Sequence, residues 1–307
     1  MRIVFFGTPD FAVPSLQALI EEGADLVGVV TQPDRARGRS RSTLVPPPVK
    51  VLAEQRGLPV LQPETPIGDV FLQQLRHLHA ELGIVVAYGH ILRPPVLEIP
   101  PGGMINVHAS LLPRLRGAAP IQHAILHGDD VTGITIMQMA RGMDSGDILH
   151  QVETWISPED TGGTLTARLA RLGAEALVEA LALMQMGRLE RRPQDHAAAT
   201  FAPKVDRALG RVNWADPAAI TARKMRALDP APGAWSTFNA GEVKLFGPRV
   251  VEGGGEPGLV LSAEPELRVA AGAGAVEIAE VQPAGATRMT AAAWARGRGP
   301  RPGQRMA

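Results

Sequence analysis

The chain has 307 residues, 45% hydrophobic and 20% charged, with 31 basic against 31 acidic side chains and no net charge. Balanced charge excludes a global basic signature, so any contact with nucleic acid must come from a local patch. The absence of cysteine excludes disulfides, thiolate zinc sites and cysteine nucleophiles, and no uncharged apolar run approaches the ~20 residues of a membrane span.

Residues 3–6 form a compact apolar run closed by Gly7, the pattern of a buried central strand. Asp10 is placed to cap the next segment, where Leu16, Leu19 and Ile20 recur at helical spacing until Gly23. A second strand is expected over 26–30, giving a βαβ opening, followed by the polar stretch TQPDRARGRSRSTLVPPP and a helix over 49–55. Helix 67–79, strand 82–87, strand 104–107 and a short helix from Pro120 continue the alternation. Residues 133–139 and 148–155 alternate at period two, and 164–186 carry an apolar stripe of Leu165, Leu169, Leu172, Ala176 and Leu177. The pattern predicts an α/β fold with a doubly wound, mostly parallel sheet. Residues 188–209 are charged and aperiodic and read as a linker between a first domain, 1–187, and a second, 210–307. In the second, short apolar runs between glycines and prolines suggest a small all-β domain, a barrel in form, led in by a helix over 219–228.

Asn106 and His108 lie two residues apart on a strand and share a face. They fall at the carboxyl end of that strand, where doubly wound sheets hold their ligands. Asparagine supplies an amide donor, and histidine an acid, a base or a charged donor. Asp144, in the turn-rich stretch ARGMDSGDIL, is a third candidate, because a carboxylate beside His108 favours the imidazolium. Two donors and a carboxylate suit acyl transfer. The structural alternatives are a satisfied histidine at a strand end and an Asx turn at MDSGD. His123 and His127, four apart, lack a third ligand nearby and read as a helix face, so no metal is expected. The turn GTPDF has a single glycine and lacks the dinucleotide fingerprint.

Residues 31–50 hold five basic groups (Arg35, Arg37, Arg39, Arg41 and Lys50) against one acid, Asp34. They read either as a solvated surface loop or as an arm that tracks phosphates and orders on RNA.

The stretches GTPDFAVPSL, TQPDR, PVKVLAEQRGLPVLQP, VVAYGHIL, INVHASLLPRLRGAAPIQ, TGITIMQM and MDSGDIL, with TFAPKVDRALGRVNW and VQPAG later, resemble the methionyl-tRNA formyltransferases. The resemblance covers most of the chain and weakens after Glu252. It implies a Rossmann-like formyltransferase domain followed by a small OB-like β-barrel that contacts tRNA. It implies that Asn106, His108 and Asp144 are catalytic and that Ser110, Leu111, Leu112 and Pro113 help hold 10-formyltetrahydrofolate. Arg37, Arg39 and Arg41 would lie in the loop that meets the acceptor end of initiator methionyl-tRNA. Asn106 and a protonated His108 are expected to donate to the oxyanion, with Asp144 keeping the ring charged and passing the amine proton onward. The sequence departs from the resemblance at Ser40-Arg41-Ser42-Thr43, where relatives often carry glycine and lysines, and at Phe201-Ala202-Pro203, where they carry tyrosine. The tail region, 205–307, has 13 basic against 10 acidic residues and is only mildly positive.

Two readings compete with formylation of the tRNA. A formyltransferase acting on an amino-sugar nucleotide would share the three residues and the folate loop, but has too few phosphates to need the basic arm. A non-catalytic RNA-binding α/β protein would not require the three residues together. A monomer is expected, with no membrane association, and a start without a transit-like extension makes the bacterial cytoplasm the expected home.

Overall fold

The computed structural model describes residues 1–37 and 43–307. They divide into two compact units: Met1–Gly117 with Val131–Trp155 and Thr166–Ala202, and Ala118–Asp130 with Ile156–Leu165 and Pro203–Ala307.

The first unit opens with β1 (Arg2–Gly7), α1 (Val13–Glu21) and β2 (Asp25–Val30). Asp10 lies in a short 3-10 turn and makes no side-chain cap, so the expected capping role is not used. Then follow β3 (Arg35–Arg37), β4 (Thr43–Val45), α2 (Pro48–Gln55), β5 (Val60–Leu61), α3 (Asp69–His77), β6 (Leu82–Val86), α4 (Pro94–Leu97) and β7 (Met104–His108). After α5 (Pro120–His127), which belongs to the second unit, come β8 (Val131–Gln138), β9 (Ile148–Trp155) and α6 (Gly162–Gln185), the last belonging to the first unit from Thr166 onward. The main sheet has seven strands in the order β5-β2-β1-β6-β7-β8-β9. Pairing is parallel from β5 to β7 and antiparallel for β7–β8 and β8–β9.

Both faces of the central strands are covered, so Val4, Phe5 and Phe6 are all buried and the strand reads as a continuous apolar run. Gly173, in the middle of α6, lets that helix approach the sheet: a Cβ there would sit 3.0 Å from Val107 Cγ1. Strand β8 departs from the half-exposed strand its alternation predicts, since Thr132 to Met137 are all buried. The polar positions face protein, not solvent. Thr135 donates to Ser110 O at 2.6 Å and accepts from Leu112 N at 3.1 Å and Gln151 Nε2 at 3.0 Å.

The sheet order reverses about β1, whose neighbours are β2 and β6, and ligands of such folds bind outside the carboxyl ends at this point. There Thr8 Oγ1 and Gln32 Nε2 donate to Tyr88 O at 2.8 and 3.0 Å, joining the ends of β1, β2 and β6. Burial pushes the Tyr88 phenol up to about 12, so it stays neutral at working pH.

The second unit contains α7 (Ala218–Ala227), β10 (Ala234–Phe238), β11 (Gly241–Val251), β12 (Val260–Ser262), β13 (Leu267–Ala270), β14 (Ala275–Pro283), β15 (Met289–Thr290) and α8 (Ala291–Arg296). Its antiparallel strands run in the order β10-β11-β14-β13-β12, with β15 on β14. Residues 303–307 reach both outer strands of this curled sheet. Gly303 N donates to Val260 O at 2.9 Å, Val260 N to Gln304 O at 2.8 Å, and Thr237 N to Ala307 O at 2.7 Å. This bonding satisfies edge groups that an open sheet would leave unpaired.

Candidate functional site

Strand β7 sets the site. Its register pairs Asn106 with Val85 of β6 and Met137 of β8, and His108 with Thr135 of β8. The pleat therefore turns Asn106 and His108 to one face, as the two-residue spacing predicts. Asn106 is half-buried, and among the described residues its side chain makes no hydrogen bond. His108 is buried, with Nε2 3.0 Å from Leu115 O. A carbonyl only accepts, so Nε2 carries the proton in this contact. Nδ1 faces Asp144 Oδ2 at 3.7 Å, an ion-pair distance longer than a hydrogen bond.

Asp144 adopts a left-handed backbone conformation, φ 47°, which few residues besides glycine, asparagine and aspartate tolerate. Its carboxylate is fixed by the Gly117 N–H, which donates to Oδ2 at 2.7 Å. A charge-assisted bond of this kind fixes the same oxygen, Oδ2, that faces His108. The structure thus brings the three candidate catalytic residues together. With Nε2 committed to Leu115 O, the ring nitrogen left without a hydrogen bond is Nδ1.

The four residues expected to hold folate divide two and two. Leu112 is buried in a small cluster with Met137 and Ile148. Its N–H donates to Thr135 Oγ1, and its carbonyl accepts from Gln151 Nε2 at 3.0 Å. Ser110 is buried, and its hydroxyl donates to Arg114 O at 2.7 Å. These two side chains hold the loop. Leu111 and Pro113 are half-exposed and remain available to a ligand. Leu111 lies against β8 because position 133 is glycine: a Cβ there would come 2.6 Å from Leu111 Cδ2 and 2.1 Å from Val152 O.

The basic segment is more structured than a loop. Strands β3 and β4 form a two-stranded ribbon, pairing Arg35 with Val45 and Arg37 with Thr43. Three-residue strands are too short to show alternation in sequence. Lys50 is not a free base: its ammonium contacts both oxygens of Asp34, at 2.9 and 2.8 Å, on a partly buried pair. The Gln62 amide, with Lys50 second, holds the Asp34 carboxyl below its ordinary value. Arg39 and Arg41 lie outside the described residues, as does the side chain of Arg37.

Sequence reasoning missed the support behind Asp144, because it sits in the expected linker. Arg192 exchanges two backbone hydrogen bonds with Ile148, and Arg116 exchanges two with Thr200 and Ala202, so residues 192–202 lie along the first unit. Thr200 Oγ1 accepts from Leu115 N at 2.9 Å, fixing the residue whose carbonyl holds His108. His123 donates from Nε2 to Pro203 O at 3.0 Å and stacks edge-on to His127, and no metal-binding cluster occurs among the described residues.

Residues 1–181 match the formyl transferase family and residues 204–299 the formyl transferase C-terminal domain. A methionyl-tRNA formyltransferase of Chloroflexus aggregans is 46% identical over 301 residues, 97% of each chain. One of Stutzerimonas stutzeri is 48% identical over 283 residues, 92% of this chain and 90% of that one. The chain belongs to the methionyl-tRNA formyltransferase family. Among solved structures, a methionyl-tRNA formyltransferase from Clostridium thermocellum superposes with a TM-score of 0.59 at 13% identity, covering 81% of this chain and 93% of that one. An N-formyltransferase from Helicobacter canadensis, in complex with folinic acid and dTDP-3-aminofucose, gives 0.69 at 16% identity, covering 94% and 99%. At these identities the likeness is one of fold. The methionyl-tRNA formyltransferase family therefore rests on the relatives that match nearly end to end.

Proposed function

We propose that this protein transfers the formyl group of 10-formyltetrahydrofolate to the free α-amino group of initiator methionyl-tRNA, giving formylmethionyl-tRNA for translation initiation. One observation supports this most: the Asn106–His108 pair at the end of β7, with Asp144 Oδ2 3.7 Å from His108 Nδ1, in a chain that shares 46% of its residues with a methionyl-tRNA formyltransferase along its length.

The amine nitrogen attacks the formyl carbon, and the carbonyl oxygen takes up negative charge. Collapse breaks the bond from the formyl carbon to N10 of the folate, N10 takes up a proton, and the amine loses one. An α-amine titrates near ~8, so much of the nucleophile is free at neutral pH and needs no strong base. Asn106 donates its uncommitted amide to the oxyanion, a role worth ~3–4 kcal/mol per donor. His108 serves through Nδ1. Asp144 stabilises the imidazolium and relays the amine proton. Leu111 and Pro113 offer apolar surface to the flat pterin and its linker.

Catalysis is assigned to residues 1–187 with the part of 188–209 that packs on them, and backbone contact with the tRNA to 210–307. Arg37, Arg39 and Arg41 contact phosphates at the acceptor end. The protein acts as a monomer in the bacterial cytoplasm without membrane contact.

Labelled formyl from 10-formyltetrahydrofolate, offered to charged initiator methionyl-tRNA and to an amino-sugar nucleotide in parallel, tests the proposal. Label on the tRNA, reduced when Arg39 and Arg41 are both changed to alanine, is the expected result. Label on the sugar alone would overturn it.

A further inference from the structure

Asp144 sits in an exposed turn: Arg141, Gly142 and Met143 all face solvent, and its own φ is positive. Aspartate tolerates this conformation, but exposed turns of this kind open easily. Something must hold it.

The holding group is Gln194. Its side chain is buried, and its Nε2 donates to Asp144 O at 2.9 Å and to Gly146 O at 2.7 Å. Its Oε1 accepts from Arg116 Nε at 3.1 Å and Arg116 Nη2 at 2.6 Å. Arg116, also buried, gives a further bond from Nη2 to His196 Nδ1 at 3.0 Å. Guanidinium only donates and carbonyls only accept, so the orientation of the amide is fixed and both its N–H groups are used. The residue after Arg116 is Gly117, whose N–H holds the Asp144 carboxylate. One buried unit therefore grips Asp144 twice, by the backbone through Gln194 and by the side chain through Gly117. Such a unit stays rigid only while every member is satisfied.

We propose that Gln194 is a positioning residue for formyl transfer, setting the Asp144 carboxylate against His108 by clamping the carbonyls of Asp144 and Gly146 on the Arg116 guanidinium. This rests on the reading of Asp144 as the group that manages the proton. No other reaction chemistry is assigned to Gln194, which touches no reacting atom.

Gln194→Glu separates positioning from folding. The carboxylate keeps Arg116 paired but offers only acceptors to two carbonyls, so the clamp opens while the buried cation stays compensated. A displacement of about 1 Å at a catalytic group lowers turnover on the order of 10²-fold. The expected result is a fall in kcat of at least about tenfold, with KM for methionyl-tRNA and for folate unchanged and the pH–rate profile displaced from the wild-type one. Gln194→Met, uncharged and of similar length, opens the same clamp and should give the same displaced profile in the fraction that folds. Wild-type kcat and a superimposable profile in Gln194→Glu would overturn the proposal. So would activity that falls only with the folded fraction under an unshifted profile. Asp144→Ala, run alongside, tells the two failures apart. If it is inactive while Gln194→Glu is normal, only the role of Gln194 falls; if it is fully active, the role of Asp144 falls and takes the clamp with it.

Discussion

The loop after β7 and the segment after α6 teach opposite lessons. Residues 109–117 look like ligand-binding surface in sequence, yet half of that loop is core: Leu112 and Leu115 are buried, and the Ser110 hydroxyl is spent on the carbonyl of Arg114. Residues 188–202 look like a charged linker, yet Gln194 and Thr200 fix the two groups that flank the His108 ring. Apolar character does not mark a ligand surface, and charge does not mark a free tether. What decides is where the backbone hydrogen bonds go.

That contrast is broken first at the proposed catalytic groups. His108→Ala should lower kcat of the folded protein by about 10²–10³-fold, with a melting temperature lowered by loss of the buried bond to Leu115 O, measured by turnover and circular dichroism. A fall of less than about tenfold would remove His108 from the chemistry.

Adjacent leucines sharpen the contrast next. Leu112→Ala removes a buried side chain and should destabilise the fold by about 2–5 kcal/mol, leaving KM for folate in the folded protein unchanged. Leu111→Ala should do the reverse, raising that KM with little loss of stability. Denaturant titration beside steady-state kinetics reads both. If Leu112→Ala raises KM at full stability, the two-and-two division of the loop is wrong.

The smallest effect concerns His123 in the second unit. Burial lowers its pKa, and the neighbouring His127 pushes the same way against the bond to Pro203. For a base with a depressed folded pKa, the unfolded chain binds more protons, so stability rises with pH through that window. Stability is therefore lost as pH falls below about 6.5, the unfolded value, and levels off beneath the folded one. His123→Gln should flatten the pH dependence of the unit's melting temperature between these limits. Identical slopes in the two proteins would contradict it.

Much of the fold was legible, for a physical reason. Central strands covered on both faces must be apolar throughout, and 3–6, 26–30 and 82–87 announce themselves that way. Asn106 and His108 were legible because strand pleating fixes the face two residues share. The β3–β4 ribbon was not, since three-residue strands leave no period to read. Nor was the pairing of Lys50 with Asp34, which depends on a contact across sixteen residues. Gln194 was hidden most completely. A glutamine in an aperiodic charged stretch carries no local mark of the carbonyls it will meet some fifty residues back in the chain.

The most direct test of the account is single-turnover formyl transfer by Asn106→Ala, with bound 10-formyltetrahydrofolate and methionyl-tRNA verified by equilibrium binding. Both substrates are expected to bind as in the wild type, with the transfer step slowed by about 10²–10³-fold. Transfer at the wild-type rate would place the oxyanion elsewhere and contradict a site built on the end of β7.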